Sequence, residues 1–135
     1  MTRRFFSLAA AAAAALVASA VPAAAQTAGA FMTNPAFRDP APRRCTSTVE
    51  LQHCAAHDLR VADAQMSARY SALRKRLGTR ARQRLLVEQR QWLKQRDRGC
   101  IERGRGGGSI ASLNVAQCWV SVTRARTRAL ATWRA

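Results

Sequence analysis

The chain has 135 residues, 23 Lys and Arg against 7 Asp and Glu, four Cys and a formal charge of +16. That length supports one domain, which excludes a multidomain enzyme, a multi-span membrane protein and a large cofactor fold. Apolar residues reach 48% and aromatics only 6%, so the chain is no disordered polar polymer, yet its Ala-rich core is thin.

Met1 to Ala25 reads as an export signal: Arg3 and Arg4 give a positive start, Phe5 to Val21 an apolar stretch, and Ala23-Ala24-Ala25 an A-x-A cleavage site before Gln26. The apolar stretch is Ala-rich and ends at Pro22, a poor permanent span, so no transmembrane segment is expected after its removal. A Sec signal fits better than a twin-arginine one, since Thr2 to Phe6 matches the latter only loosely. With no Cys beside the cleavage site a lipid anchor is not expected. The expected location is the periplasm or the medium. Removal of Arg3 and Arg4 from a total of +16 leaves +14.

Residues 26–44 carry Gly29, Pro35, Pro40 and Pro42 with little apolar periodicity, and are read as a flexible leader. The folding unit is 45–135, without strand-like alternation or an internal repeat.

Three amphipathic helices follow. The first starts near Ser47, where Ser47 and Glu50 have capping-box spacing, and buries Leu59, Ala62, Met66, Tyr70, Leu73 and Leu77 at intervals of three and four. Gly78 is expected at its C′ position and Thr79 as the next N-cap. The second runs from about Arg80 to Glu102 and faces inward with Leu85, Leu86, Gln89, Trp92, Leu93, Arg96 and Cys100. The run Gly104 to Ser109 ends it. The third spans about Ile110 to Arg134 and buries Val115, Cys118, Trp119, Val122, Arg126, Leu130 and Trp133. Short connections make neighbours antiparallel, so the fold class is all-α, a compact antiparallel three-helix bundle stabilised by two disulfides.

The inner faces contain charge. Counted back from the Gly78 turn, Asp63 and Arg96 lie at nearly the same height, which predicts an ion pair, with Asp97 or Glu88 left for Arg126. Such a network fixes helix register or, alternatively, lines a polar cleft. The four Cys allow three connectivities. The short Gly-rich loop brings Cys100 within reach of Cys118, which leaves Cys45 with Cys54 as the preferred second pair.

Positive charge concentrates around the first turn, where Arg74, Lys75, Arg76, Arg80, Arg82 and Arg84 fall within eleven residues that hold no acid. Arg binds phosphate and carboxylate in bidentate fashion, so these six are candidates for anion binding. The competing reading is solvated surface charge. The cluster has no interleaved aromatics, which disfavours stacking on single-stranded bases.

Catalysis finds little support. His53 and His57 stand one helical turn apart, but the H-E-x-x-H glutamate is missing and Cys54 is expected to be oxidised. The Gly104 to Ser109 run follows a helix rather than a strand and lacks the Lys-Ser/Thr of a phosphate loop. No catalytic residue, metal ligand or cofactor is expected.

The order Cys45, Cys54, Ala62-Asp63, Met66-Ser67, Tyr70, then Gln89-x-x-Trp92, Arg96-Asp97-x-x-Cys100, and last Cys118, Thr123, Arg126 and Leu130 resembles the lysozyme inhibitor LprI N-terminal-like family of small exported bacterial domains. The resemblance covers the whole folding unit. It departs at Met66 and Ser67, where the family carries Leu-Asn. It implies a soluble, non-catalytic envelope-associated protein whose partner is a lysozyme or another cell-wall hydrolase. A charge of +14 opposes approach to a cationic lysozyme. Two other readings therefore stand beside it: a cationic binder of anionic envelope polymers (lipid phosphate, glycan or nucleic acid) through the basic tip, and a structural envelope protein. The sequence does not define the oligomeric state.

Overall fold

A computed structural model describes residues 27–38, 40–108 and 110–135. The expected export signal and cleavage site lie outside them. The described residues form four helices, α1 (Ala28–Met32), α2 (Thr48–Arg76), α3 (Thr79–Arg103) and α4 (Ala111–Ala131), with a 3-10 turn at Pro35–Phe37 between α1 and α2. The described residues contain no strand, and the three long helices are those predicted.

Helix α2 begins as its sequence dictates. Ser47 Oγ accepts from the Glu50 N–H at 3.2 Å, and Glu50 Oε2 accepts from the Ser47 N–H at 2.9 Å. The Thr46 N–H and hydroxyl add two more hydrogen bonds to the same carboxylate oxygen, at 3.1 and 2.8 Å. These donors, the Ser47 N–H foremost and the Thr46 hydroxyl next, pull the Glu50 carboxyl down from 4.5 to about 2.

The α2–α3 turn differs from expectation. Leu77, at φ −94° and ψ 143°, is the C-cap of α2, and Gly78, at φ −67° and ψ 165°, is the N-cap of α3. Thr79 is already helical, so it caps nothing. Two extended residues suffice to reverse the chain, and the left-handed conformation for which Gly is usually needed does not occur there. It occurs in the α3–α4 loop instead, at Gly107 (φ 72°) and Gly108 (φ 83°).

Helix α4 stops three residues before the expected Arg134. The Thr132 N–H and hydroxyl both turn back to the Ala129 carbonyl at 3.3 Å. The chain then leaves the helix, and Trp133 Nε1 donates to Glu88 Oε2 on α3 at 2.7 Å.

With α2 up and α3 down, α4 again runs up. Gln52 near the start of α2 donates to Ser112 near the start of α4, at 2.6 Å. These two parallel helices pack closest, while the backbones of α2 and α3 seldom approach one another. Side-chain size explains the asymmetry: the α2–α4 region buries Ala55, Ala56, Ala62, Ala116 and Thr123, which let backbones draw near. Between α2 and α3 stand Gln89, Trp92 and Arg96.

The core has two parts. Around Cys100–Cys118, buried Leu59, Leu113, Trp119 and Val120 pack together; toward the α2–α3 turn, Met66, Leu73, Leu85 and Leu130 form a second cluster. The disulfides are Cys45–Cys54 and Cys100–Cys118, the preferred pairing.

The segment expected to be a flexible leader is folded onto the bundle over residues 27–38. Ala28 is fully buried, Phe31 packs on Trp119 at 5.6 Å and on Phe37 at 5.3 Å, and Arg60 Nη1 donates to the Met32 carbonyl at 3.1 Å. Thr27 caps α1 by accepting from the Ala30 N–H. Two aromatics, four residues before and two after Pro35, make too short a pattern for periodicity to reveal, but they bury enough apolar surface to hold the segment.

Candidate functional site

Three regions hold the residues singled out by sequence, and they differ in access to solvent. The first is internal. Arg96 is buried, its side chain 4% exposed, with Nη1 3.5 Å from Asp63 Oδ1 and Nε 3.0 Å from Asp97 Oδ1. Its Nη1 also lies 3.5 Å from Thr123 Oγ1 on α4, so one guanidinium ties together α2, α3 and α4. The predicted Asp63–Arg96 pair is therefore present.

Arg126 is not held as expected. Asp97 is occupied by Arg96 and by the Ala28 N–H, and Glu88 by Trp133. Arg126 Nε instead donates to Gln89 Oε1 at 2.9 Å, and Gln89 Nε2 donates to Met66 Sδ at 3.4 Å. Burial pushes Arg126 below the usual guanidinium range, while the charge of Glu88 pulls it back. The Trp92 ring lies 5.3 Å from the guanidinium carbon of Arg96 and 5.8 Å from that of Arg126, distances at which an aromatic ring offsets part of their desolvation. Met66 thus fills a core position and accepts a hydrogen bond, while Ser67 beside it is exposed. Leu130 packs beside the network in the cluster toward the α2–α3 turn. Most of the network's polar groups are directed at one another, though Arg126 Nη2 is buried without a hydrogen-bond partner, and the network links α2, α3 and α4.

The second region lies at the disulfide end. A groove of about 410 Å³ runs between α1, the end of α3 and the start of α4, walled by Phe31, Ile101, Val115 and Trp119 with Asn34 and Arg105 at its margin. Gly104 brings its two sides together: a Cβ there would meet Val115 Cγ2 at 2.6 Å. Arg105, on the exposed Gly-rich loop, reaches Glu102 at 2.7 Å with 73% of its side chain in solvent. Sequence reasoning named the loop but missed the groove, because its other wall, α1, was read as leader. His53, one of the two imidazoles noted above, lies nearby, its Nε2 against the Arg38 carbonyl and its ring 6.2 Å from Phe37.

The third region is the α2–α3 tip. Arg74, Lys75 and Arg82 line a recess of about 460 Å³ with Ser71. Arg74 lies over the Tyr70 ring at 5.6 Å, and Arg82 Nη2 donates to the Leu77 carbonyl at 3.0 Å. Arg76, Arg80 and Arg84 are exposed close by in sequence but do not line that recess.

The lysozyme inhibitor LprI family matches this sequence over residues 41–130. The chain belongs to that family. No curated protein and no solved structure matches it. The LprI match takes in both disulfides, the Arg96 network and the basic tip, whereas α1 and Phe37 precede it. No described helix is long and apolar enough to cross a membrane, and the described residues hold no cluster of three or more potential metal ligands.

Proposed function

We propose that this protein is an exported, non-catalytic inhibitor of a lysozyme or related cell-wall hydrolase. Membership of the LprI family over residues 41–130 carries the reading. In it, residues 1–25 serve as the export signal.

The charges suggest how such an inhibitor works. All six described carboxylates have internal partners: Glu50 in its capping box, Asp58 4.0 Å from Arg124, Asp63 and Asp97 on Arg96, Glu88 on Trp133 and Glu102 on Arg105. Among the described residues, then, no carboxylate is left spare to attract a cationic enzyme. Glycoside hydrolases place a pair of carboxylic side chains across their scissile bond. The Gly-rich loop presents Arg105, and a guanidinium entering such a cleft pairs with those groups. The apolar groove beside the loop supplies the buried contact area that ion pairing alone lacks. The preferred target is a hydrolase whose cleft margin is neutral or acidic.

Titration against a panel of lysozymes of differing charge, at two salt concentrations, tests the reading. Stoichiometric inhibition that persists in moderate salt and weakens at least tenfold in Arg105→Gln is expected, a loss of roughly 1.4 kcal/mol or more. Absence of inhibition across the panel overturns it.

A further inference from the structure

The basic tip plays no part in the proposed inhibition. It stands at the opposite end of the bundle from the groove: on α3, Arg82 of the tip and Ile101 of the groove are separated by 19 helical residues, about 29 Å. From Ser71 to Val87 the chain contains six cationic side chains and no carboxylate. The nearest acid in sequence, Glu88, is bound to Trp133. Three of the six converge on one recess, where Arg74, Lys75 and Arg82 stand around Ser71. Like charges gathered without a counter-charge repel one another and weaken the fold, and they lose that repulsion when an anion enters. Two details favour an anion there. The Arg74 Nε is buried with no hydrogen-bond partner, and Gly78 provides no side-chain cap for the start of α3, whose positive dipole end faces the same turn.

We infer that the α2–α3 tip is a phosphate-binding site that seats the protein on the headgroups of an anionic lipid bilayer. Arg forms paired hydrogen bonds to phosphate oxygens, and Lys adds a point charge. Shape separates lipid from nucleic acid. The cations project from the closed end of a hairpin rather than along a groove that could follow a strand, and no aromatic residue lies between Ser71 and Val87 to stack on a base. A bilayer presents phosphates in a plane, which the end of a hairpin meets head-on. The groove, about 29 Å away along α3, then faces outward from the surface.

The experiment is sedimentation of the processed full-length chain with vesicles of phosphatidylcholine alone or with one-quarter phosphatidylglycerol, at low and high salt. Binding to the anionic vesicles only, falling steeply with salt, is expected. Arg74→Gln, Lys75→Gln and Arg82→Gln together weaken it on the order of 100-fold, since each basic residue near an anionic surface contributes about fivefold. A second triple variant at exposed positions, Lys75→Gln, Arg76→Gln and Arg80→Gln, covers the case in which loss of the Arg82–Leu77 contact disturbs folding. Arg90→Gln, Lys94→Gln and Arg98→Gln remove the same charge from the side of α3 and cost less than about tenfold. Equal losses in tip and side variants overturn the proposal, as does the absence of vesicle binding. Retention on duplex DNA without vesicle binding replaces lipid with nucleic acid. Arg105→Gln leaves vesicle binding intact, so failure of the inhibitor reading and failure of this one are separable.

Discussion

Replacing Asp97 with Ala tests whether the buried guanidinium organises the bundle. The substitution removes the 3.0 Å partner of Arg96 Nε and the acceptor of the Ala28 N–H, and leaves Asp63 at 3.5 Å. Removing one member of a fully buried pair costs about 3–5 kcal/mol. Asp97 is 21% exposed and a second carboxylate remains, so roughly a quarter of that, about 1 kcal/mol, is expected from the pair, and with the lost Ala28 hydrogen bond about 2 kcal/mol in all. For a domain of this size the melting temperature falls by roughly 8–16 °C. Arg96→Met removes the charge that Asp97 serves, and in that background Asp97→Ala costs only the Ala28 hydrogen bond, about 1 kcal/mol. A double-mutant cycle by denaturant titration should therefore give a coupling of about 1 kcal/mol. If Asp97→Ala costs the same with Met at position 96 as with Arg, the pair contributes nothing and the register argument is wrong.

Gly104→Ala forces a Cβ to within 2.6 Å of Val115 Cγ2, and destabilisation of roughly 1–3 kcal/mol is expected; adding Val115→Ala should restore most of it in thermal melts. Replacing Cys100 and Cys118 with Ser opens a longer loop than doing so at Cys45 and Cys54, with separations of 18 and 9 residues, and losses of about 3.2 and 2.6 kcal/mol are expected from chain entropy. Cys45 is exposed while Cys100 and Cys118 are buried, so mass spectrometry under mild reductant should find Cys45–Cys54 opened first. The folded Glu50 pKa of about 2 lies below its ordinary 4.5, so its contribution is complete above pH 4.5 and is lost as pH falls toward 2. Melts across that range should show a smaller acid loss in Glu50→Gln than in the parent.

Most of the helical frame was legible because its signals are local. Ser47 and Glu50 stand three apart, apolar residues recur at three and four, and Gly104 to Gly108 interrupts them. Even a long-range contact, Asp63 to Arg96, followed from counting residues away from a tight turn. Counting failed for Arg126, because it places a residue at a height along the bundle without saying which neighbours are already engaged. Trp133 took Glu88, and the Ala28 N–H shares Asp97 with Arg96. The groove was hidden for a related reason: Phe31 and Phe37 act as a pair only once Trp119, some 80 residues on, provides the surface that receives them. The Gly78 turn was misread because glycine permits a left-handed conformation without requiring one.

Both covalent bridges sit at one end of the bundle, and nothing covalent beyond the α2–α3 turn itself secures the other. Loosening of the native state should therefore begin at the turn and travel toward the cystines, as a zipper opens from its unstitched end. Amides of Leu73 and Leu85 should exchange with solvent before those of Leu59 and Ala116, and a protease should make its first cut near Gly78. A protein that unravels from its cationic pole would still present the opposite face intact after such a nick.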